Sequence, residues 1–201
     1  ITLGTNAETA ALFNPMTGEC GEAKVRQVDG KTQVYLQLKS GESIILQTYR
    51  QPLQASKPWK YVKEQPFSLR LDHGWKLHFA ESTPEIQGTF DIDRPCSWTN
   101  IDHPAAQTNM GTGVYSLDIE LPALKADNWI LDLGDVRESA RVRINGQEAG
   151  CVWAVPYQLK VGQFLKPGKN HIEIEVTNLP ANRIAELDRQ GVQWRKFKEI
   201  N

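Results

Sequence analysis

Polar and apolar positions alternate along much of this chain with the two-residue period of half-buried strands. In Tyr115-Ser116-Leu117-Asp118-Ile119-Glu120-Leu121 the alternation is strict. Further on, Ile172, Ile174 and Val176 share one face while His171, Glu173, Glu175 and Thr177 share the other. The pattern predicts strands over 75–79, 113–121, 129–133, 140–144, 147–153, 157–159 and 171–177. Upstream, strands are expected at 24–28, 33–38 and 42–49, and Leu12-Phe13-Asn14-Pro15-Met16-Thr17-Gly18 reads as a strand that ends in a turn. Two hairpins are marked by Asp29-Gly30 and Asn145-Gly146, because a type I′ turn needs positive φ at both central positions. Helical spacing is predicted only over 181–190, with Ile184 and Leu187 on one side and Gly191 as the stop. Short strands punctuated by turns place the chain in the all-β class, with a sandwich as the architecture.

A stretch rich in Pro and Lys, 51–66, holds Pro52, Pro58 and Pro66 and divides the chain. Residues 1–60 are read as a small partial β-sheet domain, the tail of a sandwich, whose edges need cover. Residues 61–201 carry the fuller β-domain and the short C-terminal helix. The 201 residues include 23 basic and 24 acidic side chains, so the whole chain has no electrostatic footprint for nucleic acid or an anionic membrane. Apolar content of 40% and six tryptophans argue for a packed core rather than disorder. The apolar runs are too short to span a bilayer. Position 1 is Ile with no export signal after it, which reads as a piece of something longer. Cys20, Cys96 and Cys151 fit no zinc spacing; three buried or partly buried thiols are expected, with one disulfide the alternative.

Few motifs carry chemistry. Gly111-Thr112-Gly113 lacks the third glycine and the helix of a phosphate loop, and neither a Gly-x-Ser-x-Gly elbow nor an Asn-x-Ser/Thr acceptor occurs. His73, His78, His103 and His171 have no metal-ligand spacing. The pairs Glu173/Glu175 and Asp118/Glu120 read as wet strand faces, although a glycosidase needs only two facing carboxylates. Asp91 and Asp93 could join a calcium site only with further oxygen ligands, and they read as ordinary loop acids. No catalytic residue, metal ligand or cofactor is therefore assigned. The stronger signal is aromatic residues in loops. Trp98 lies in a long polar connection, Trp153 precedes Pro156 and Tyr157 in another, and Arg137 and Glu138 sit in a third. Flat rings stack on sugar C–H faces while Arg and acids serve hydroxyls, so Trp98, Arg137, Glu138, Trp153 and Tyr157 are the candidate carbohydrate-binding residues. The competing reading has both tryptophans plugging the ends of the core.

The run 129–146, Trp-Ile-Leu-Asp-Leu-Gly-Asp-Val-Arg-Glu-Ser-Ala-Arg-Val-Arg-Ile-Asn-Gly, resembles the sugar-binding domain of glycoside hydrolase family 2. Its continuations, 150–157, 165–170 and 172–178, are similar to the same domain. That resemblance implies a galactose-binding-like jelly roll. The flanks, with Gly74-Trp75-Lys76-Leu77-His78-Phe79, Ser97-Trp98-Thr99, Asn178-Leu179-Pro180, Asp188-Arg189, Trp194 and Phe197, resemble the C-terminal end of bacterial family 106 α-L-rhamnosidases. The front piece, 13–18 and 38–43, resembles the β-domain that precedes it. In such enzymes the catalytic carboxylates belong to an upstream barrel, which this length cannot hold. The resemblance thus implies a non-catalytic accessory region, with a plant-type or bacterial polysaccharide, rhamnose-containing ones included, and the upstream catalytic domain as partners. It implies a periplasmic or extracellular setting. A purely structural domain packed on the barrel is the alternative.

Overall fold

Two Asx-Gly turns set the local geometry, with φ of 49° and 71° at Asp29 and Gly30 and of 52° and 78° at Asn145 and Gly146. The computed structural model describes residues 1–54, 56–63, 67–123 and 126–193. Pro66, Trp194 and Phe197, named above, lie outside the described residues. The described strands are β1 (Thr9–Phe13), β2 (Cys20–Glu22), β3 (Val25–Val28), β4 (Lys31–Val34), β5 (Ile45–Tyr49), β6 (Trp75–Thr83), β7 (Thr89–Ile92), β8 (Met110–Leu121), β9 (Ile130–Asp132), β10 (Ser139–Ile144), β11 (Gln147–Val152), β12 (Gln158–Lys160) and β13 (Gly168–Thr177). Two helices, α1 (Pro104–Gln107) and α2 (Ala181–Arg189), complete the fold with short 3-10 turns. The chain is all-β, built of antiparallel sheets. It divides into two compact units, Ile1–Phe67 and Ser68–Asn201.

In the first unit, β1 lies between β2 and β5 in one sheet, and β3 and β4 form the Asp29-Gly30 hairpin. Ala10, Leu12, Ala23 and Val34 form its small core, against which Leu46 and Trp59 pack. The open edge of β2 is covered by the segment after the sheet. Glu22 N–H donates to Lys57 O at 2.7 Å and Trp59 N–H to Glu22 O at 2.8 Å. Gly21 is what lets that segment close in, since a Cβ there would stand 2.7 Å from Trp59 Cα. The β3–β4 register ends at Val34, with one more bond from Tyr35 N–H to Lys24 O at 3.0 Å, although the alternation runs on to Leu38. Beyond it, the Gln37 side chain bonds both backbone groups of Val62, at 2.9 and 2.8 Å, in place of a ladder.

In the second unit a six-stranded sheet runs in the order β11-β10-β13-β8-β6-β7. Its register lines the apolar positions into rows: Leu77 opposes Tyr115, Tyr115 opposes Ile174, and Ile174 opposes Val142. A second row joins Leu117, Ile172 and Ile144. These rows form one face of the main core. Leu131 of β9 and Leu159 of β12, from the small second sheet, pack against that core, as do Trp98, Ile86, Ile101, Val136 and Val161 from connections. The opposite face is wet and charged. His171 Nδ1 lies 2.7 Å from Asp118 Oδ1, and Glu175 reaches Arg143 at 3.3 Å and Arg141 at 3.7 Å. Asp91, considered above for calcium, pairs with Lys76 at 2.7 Å. Among the described residues no group of three His, Cys, Asp or Glu is placed to hold a metal ion. No helix among them is long and apolar enough to cross a membrane.

One expectation about thiols, their burial, needs correction. All three cysteines are free, and Cys20 and Cys151 are exposed rather than buried, with only Cys96 half-buried. The reason is position: Cys20 starts β2, and Cys151 lies on β11, which ends the six-stranded sheet. The strands β2 and β7 were not predicted. Both are edge strands of three or four residues, too short for alternation to register.

Candidate functional site

The two connections that carry the exposed candidates meet at one end of the second unit. Ala140, near the start of β10, opposes Val152 at the end of β11, and Asp132 at the end of β9 opposes Gln158 at the start of β12. The β9–β10 and β11–β12 connections therefore emerge side by side, and Leu133 N–H donates to Tyr157 O at 2.9 Å between them. Glu138 N–H donates to Thr177 O at 3.3 Å, anchoring the first connection to β13.

Alternation decides which side chains face out. Val136 is buried in the core, so its neighbours Asp135 and Arg137 both project into solvent. They form a two-bond pair, Arg137 Nε to Asp135 Oδ1 at 2.9 Å and Nη2 to Oδ2 at 3.0 Å. The hydrogen bond from Arg137 holds the Asp135 carboxyl below its ordinary value, and the same bond raises the guanidinium. Glu138 is exposed beside them. On the second connection Val152 is buried, and Trp153 follows it outward with 64% of its surface exposed. Val155 is 56% exposed, and Tyr157 is half-buried against the core. An exposed indole with an apolar neighbour, on the connection next to the one that carries a guanidinium–carboxylate pair, offers an apolar face for a ring and polar groups for hydroxyls.

Trp98 does not join this group. It is 6% exposed, its ring sits edge-on to Phe79 at 5.0 Å, and its Nε1–H donates to the Tyr115 hydroxyl at 2.7 Å. A sugar could reach that ring only by unpacking the core. The structure thus places Arg137 and Glu138 on one connection and Trp153 and Tyr157 on the neighbouring one, and sets Trp98 apart in the interior. Two residues of the rim went unnoticed in the sequence, Val155 and Asp135. The Asp-Val-Arg run was the available signal for Asp135, since a buried middle residue puts its flanking charges on one side.

The buried pair makes its own testable mark. Burial pushes the Tyr115 phenol from the ordinary 10 up to about 12, with the Trp98 bond opposing the shift. A folded value above the unfolded one means stability that is complete below pH 10 and lost as the pH rises toward 12. Absorbance titration should find a tyrosine that resists ionisation up to that range, and Tyr115→Phe should remove it. A phenol count with every tyrosine ionising near 10 would contradict this burial.

Fold and rim together define an all-β region with an exposed tryptophan at one end and, among its described residues, no group of three His, Cys, Asp or Glu placed to hold a metal ion. The sequence is 32% identical over 126 residues to a protein of Formosa agariphila provisionally named a β-glucuronidase, a match covering 61% of this chain and 11% of that protein. The fold is similar to that of a rhamnosidase from Novosphingobium sp. PP1Y, with a TM-score of 0.75 and 24% identity over 96% of this chain and 18% of that one. A β-glucuronidase of Faecalibacterium prausnitzii matches less fully, with a TM-score of 0.47 and 21% identity over 59% of this chain and 22% of that one. No family model matches the chain. Its relatives by sequence and by fold are glycoside hydrolases, and the chain spans less than a fifth of the length of the first two.

Proposed function

We propose that this chain is a non-catalytic, accessory carbohydrate-binding region of a larger glycoside hydrolase of the α-L-rhamnosidase type. In this reading the second unit is a galactose-binding-like jelly roll, and the parent enzyme works outside the cytoplasm on a plant-type or bacterial polysaccharide. The observation that carries the reading is the 64% exposure of Trp153 at a rim that also presents Tyr157, Arg137 and Glu138. An indole left in water is costly surface, and covering it with a sugar ring removes that cost. The fold of a rhamnosidase and the sequence of a glucuronidase-like protein support the carbohydrate context.

The chemistry asked of the rim is simple. Trp153 and Val155 form the apolar floor, free N–H groups of Arg137 donate to hydroxyls, and Glu138 accepts from them. Hydrolysis falls to carboxylates of the catalytic domain, the region's partner within the parent chain.

Tryptophan fluorescence tests the reading well, because Trp153 is the exposed one among the described tryptophans. Titration with methyl α-L-rhamnoside and pectic oligosaccharides should give a saturable shift. Trp153→Ala, which loses that reporter and is therefore titrated by calorimetry beside the wild type, should bind about tenfold or more weakly, equivalent to about 1.4 kcal/mol. Folded protein that gives no shift with any sugar would overturn the reading in favour of a domain that only packs on its catalytic neighbour.

A further inference from the structure

We propose that this rim selects neutral sugars and rejects uronates, an inference that rests on the carbohydrate-binding reading above. Arginine ordinarily reads a carboxylate through a two-bond edge of its guanidinium. At Arg137 such an edge, Nε and Nη2, is already taken by Asp135, at 2.9 and 3.0 Å. The three N–H groups left on Nη1 and Nη2 can donate to hydroxyls, and a carboxylate that took the Nη1/Nη2 end would sit beside Asp135, on a guanidinium whose charge that acid already balances.

The surrounding charge opposes a carboxylate as well. From the end of β9 to the start of β10 the chain carries Asp132, Asp135 and Glu138 against the single cation Arg137. Asp132 is held at the rim by Gly134 N–H at 2.9 Å and by the Gln158 amide at 2.6 Å. The facing connection, Trp153 to Tyr157, has no charged residue to offset them. A ligand carboxylate therefore meets a net negative edge, while hydroxyls can donate to the same acids. At such exposure each like charge several ångströms away weakens binding about threefold at low salt, and less as salt is added.

The test compares methyl α-L-rhamnoside with galacturonate on the wild-type chain and on Asp135→Asn, by tryptophan fluorescence at low ionic strength. The rhamnoside should bind the wild type about tenfold tighter than galacturonate. Asp135→Asn frees the guanidinium edge and removes one acid, so the ratio of affinities should move toward galacturonate by about threefold or more. Galacturonate binding as tightly as the rhamnoside, or a ratio unmoved by Asp135→Asn, would overturn the selectivity and leave the carbohydrate-binding reading standing. Binding of neither sugar would overturn both.

Discussion

Replacing Trp98 with alanine should cost the second unit about 3–5 kcal/mol, the range for emptying an aromatic site in a packed core. The ring is 6% exposed and is held in place from several sides. Ser97 caps the 3-10 turn that carries it, through a bond to Thr99 N–H at 3.4 Å. Phe79 meets it edge-on, with ring centres 5.0 Å apart. Beneath it lies Gly113, where a Cβ would stand 2.8 Å from the indole, so strand and ring approach as closely as a glycine allows. Loss of the indole also removes the donor to the Tyr115 hydroxyl, which keeps only its own bond to Cys96 O at 3.2 Å. Against a domain stability of about 5–15 kcal/mol, such a loss leaves a marginal fold. Urea denaturation followed by circular dichroism measures it. Trp153→Ala is the control, expected within about 0.5 kcal/mol of wild type because its ring packs on little. A Trp98→Ala loss below 1 kcal/mol would show that the ring is not a core residue.

Asn170→Ala should cost about 2–4 kcal/mol, although it removes no apolar surface. Asn170 is 3% exposed and joins the connection before β13 to the Asn145-Gly146 turn. Its Oδ1 accepts from Lys166 N–H and from Asn145 Nδ2, each at 2.9 Å. Its Nδ2 donates to Lys166 O at 2.7 Å and to Gly168 O at 2.9 Å. Asn145 extends the network by accepting from His171 N–H at 3.0 Å and donating to Phe164 O at 2.8 Å. Alanine would leave several partly buried groups unpaired, each costing about 1–3 kcal/mol unless water reaches it. Asn170→Asp is the informative companion, since it keeps an acceptor for Lys166 N–H but loses the donors. It should fall between wild type and alanine in the same denaturation experiment. Equal stability of Asn170→Ala and wild type would mean that the turn is held by its backbone alone.

Much of the β-framework is legible from local pattern, because strand pairing here obeys alternation and turn chemistry. The expected helix over 181–190 appears as α2, Ala181–Arg189, where the apolar spacing is helical and Gly191 follows. The strict alternation of 115–121 lies within β8, and the two Asx-Gly pairs adopt the positive φ that type I′ turns need. The shortest elements are hard to read even where they alternate, as Thr89-Phe90-Asp91-Ile92 does in β7. The α1 turn spans only four residues, and β7 is a four-residue edge strand. Residues 35–38 alternate as a strand should, yet Tyr35 and Leu38 are exposed and the ladder ends with the Tyr35 N–H bond to Lys24 O.

The candidate site divides along the same line. Composition and loop position singled out both Trp98 and Trp153, and nothing local distinguishes a tryptophan that plugs a core from one that waits at a rim. The difference depends on what stands opposite each ring. Gly113 and Phe79 come together over Trp98 from strands β8 and β6, whereas Trp153 follows β11, the end strand of its sheet, and is left 64% exposed. The Asp135–Arg137 pair is local, but that its connection lies beside the one carrying Trp153 follows from the pairing of β10 with β11 and of β9 with β12. By itself, then, the sequence determined the all-β class, the hairpins and the inward rows, all set by neighbours a few residues apart. Which aromatic ring meets solvent, and which charges share its rim, was decided only by the tertiary structure, because burial is a property of contacts made between distant segments.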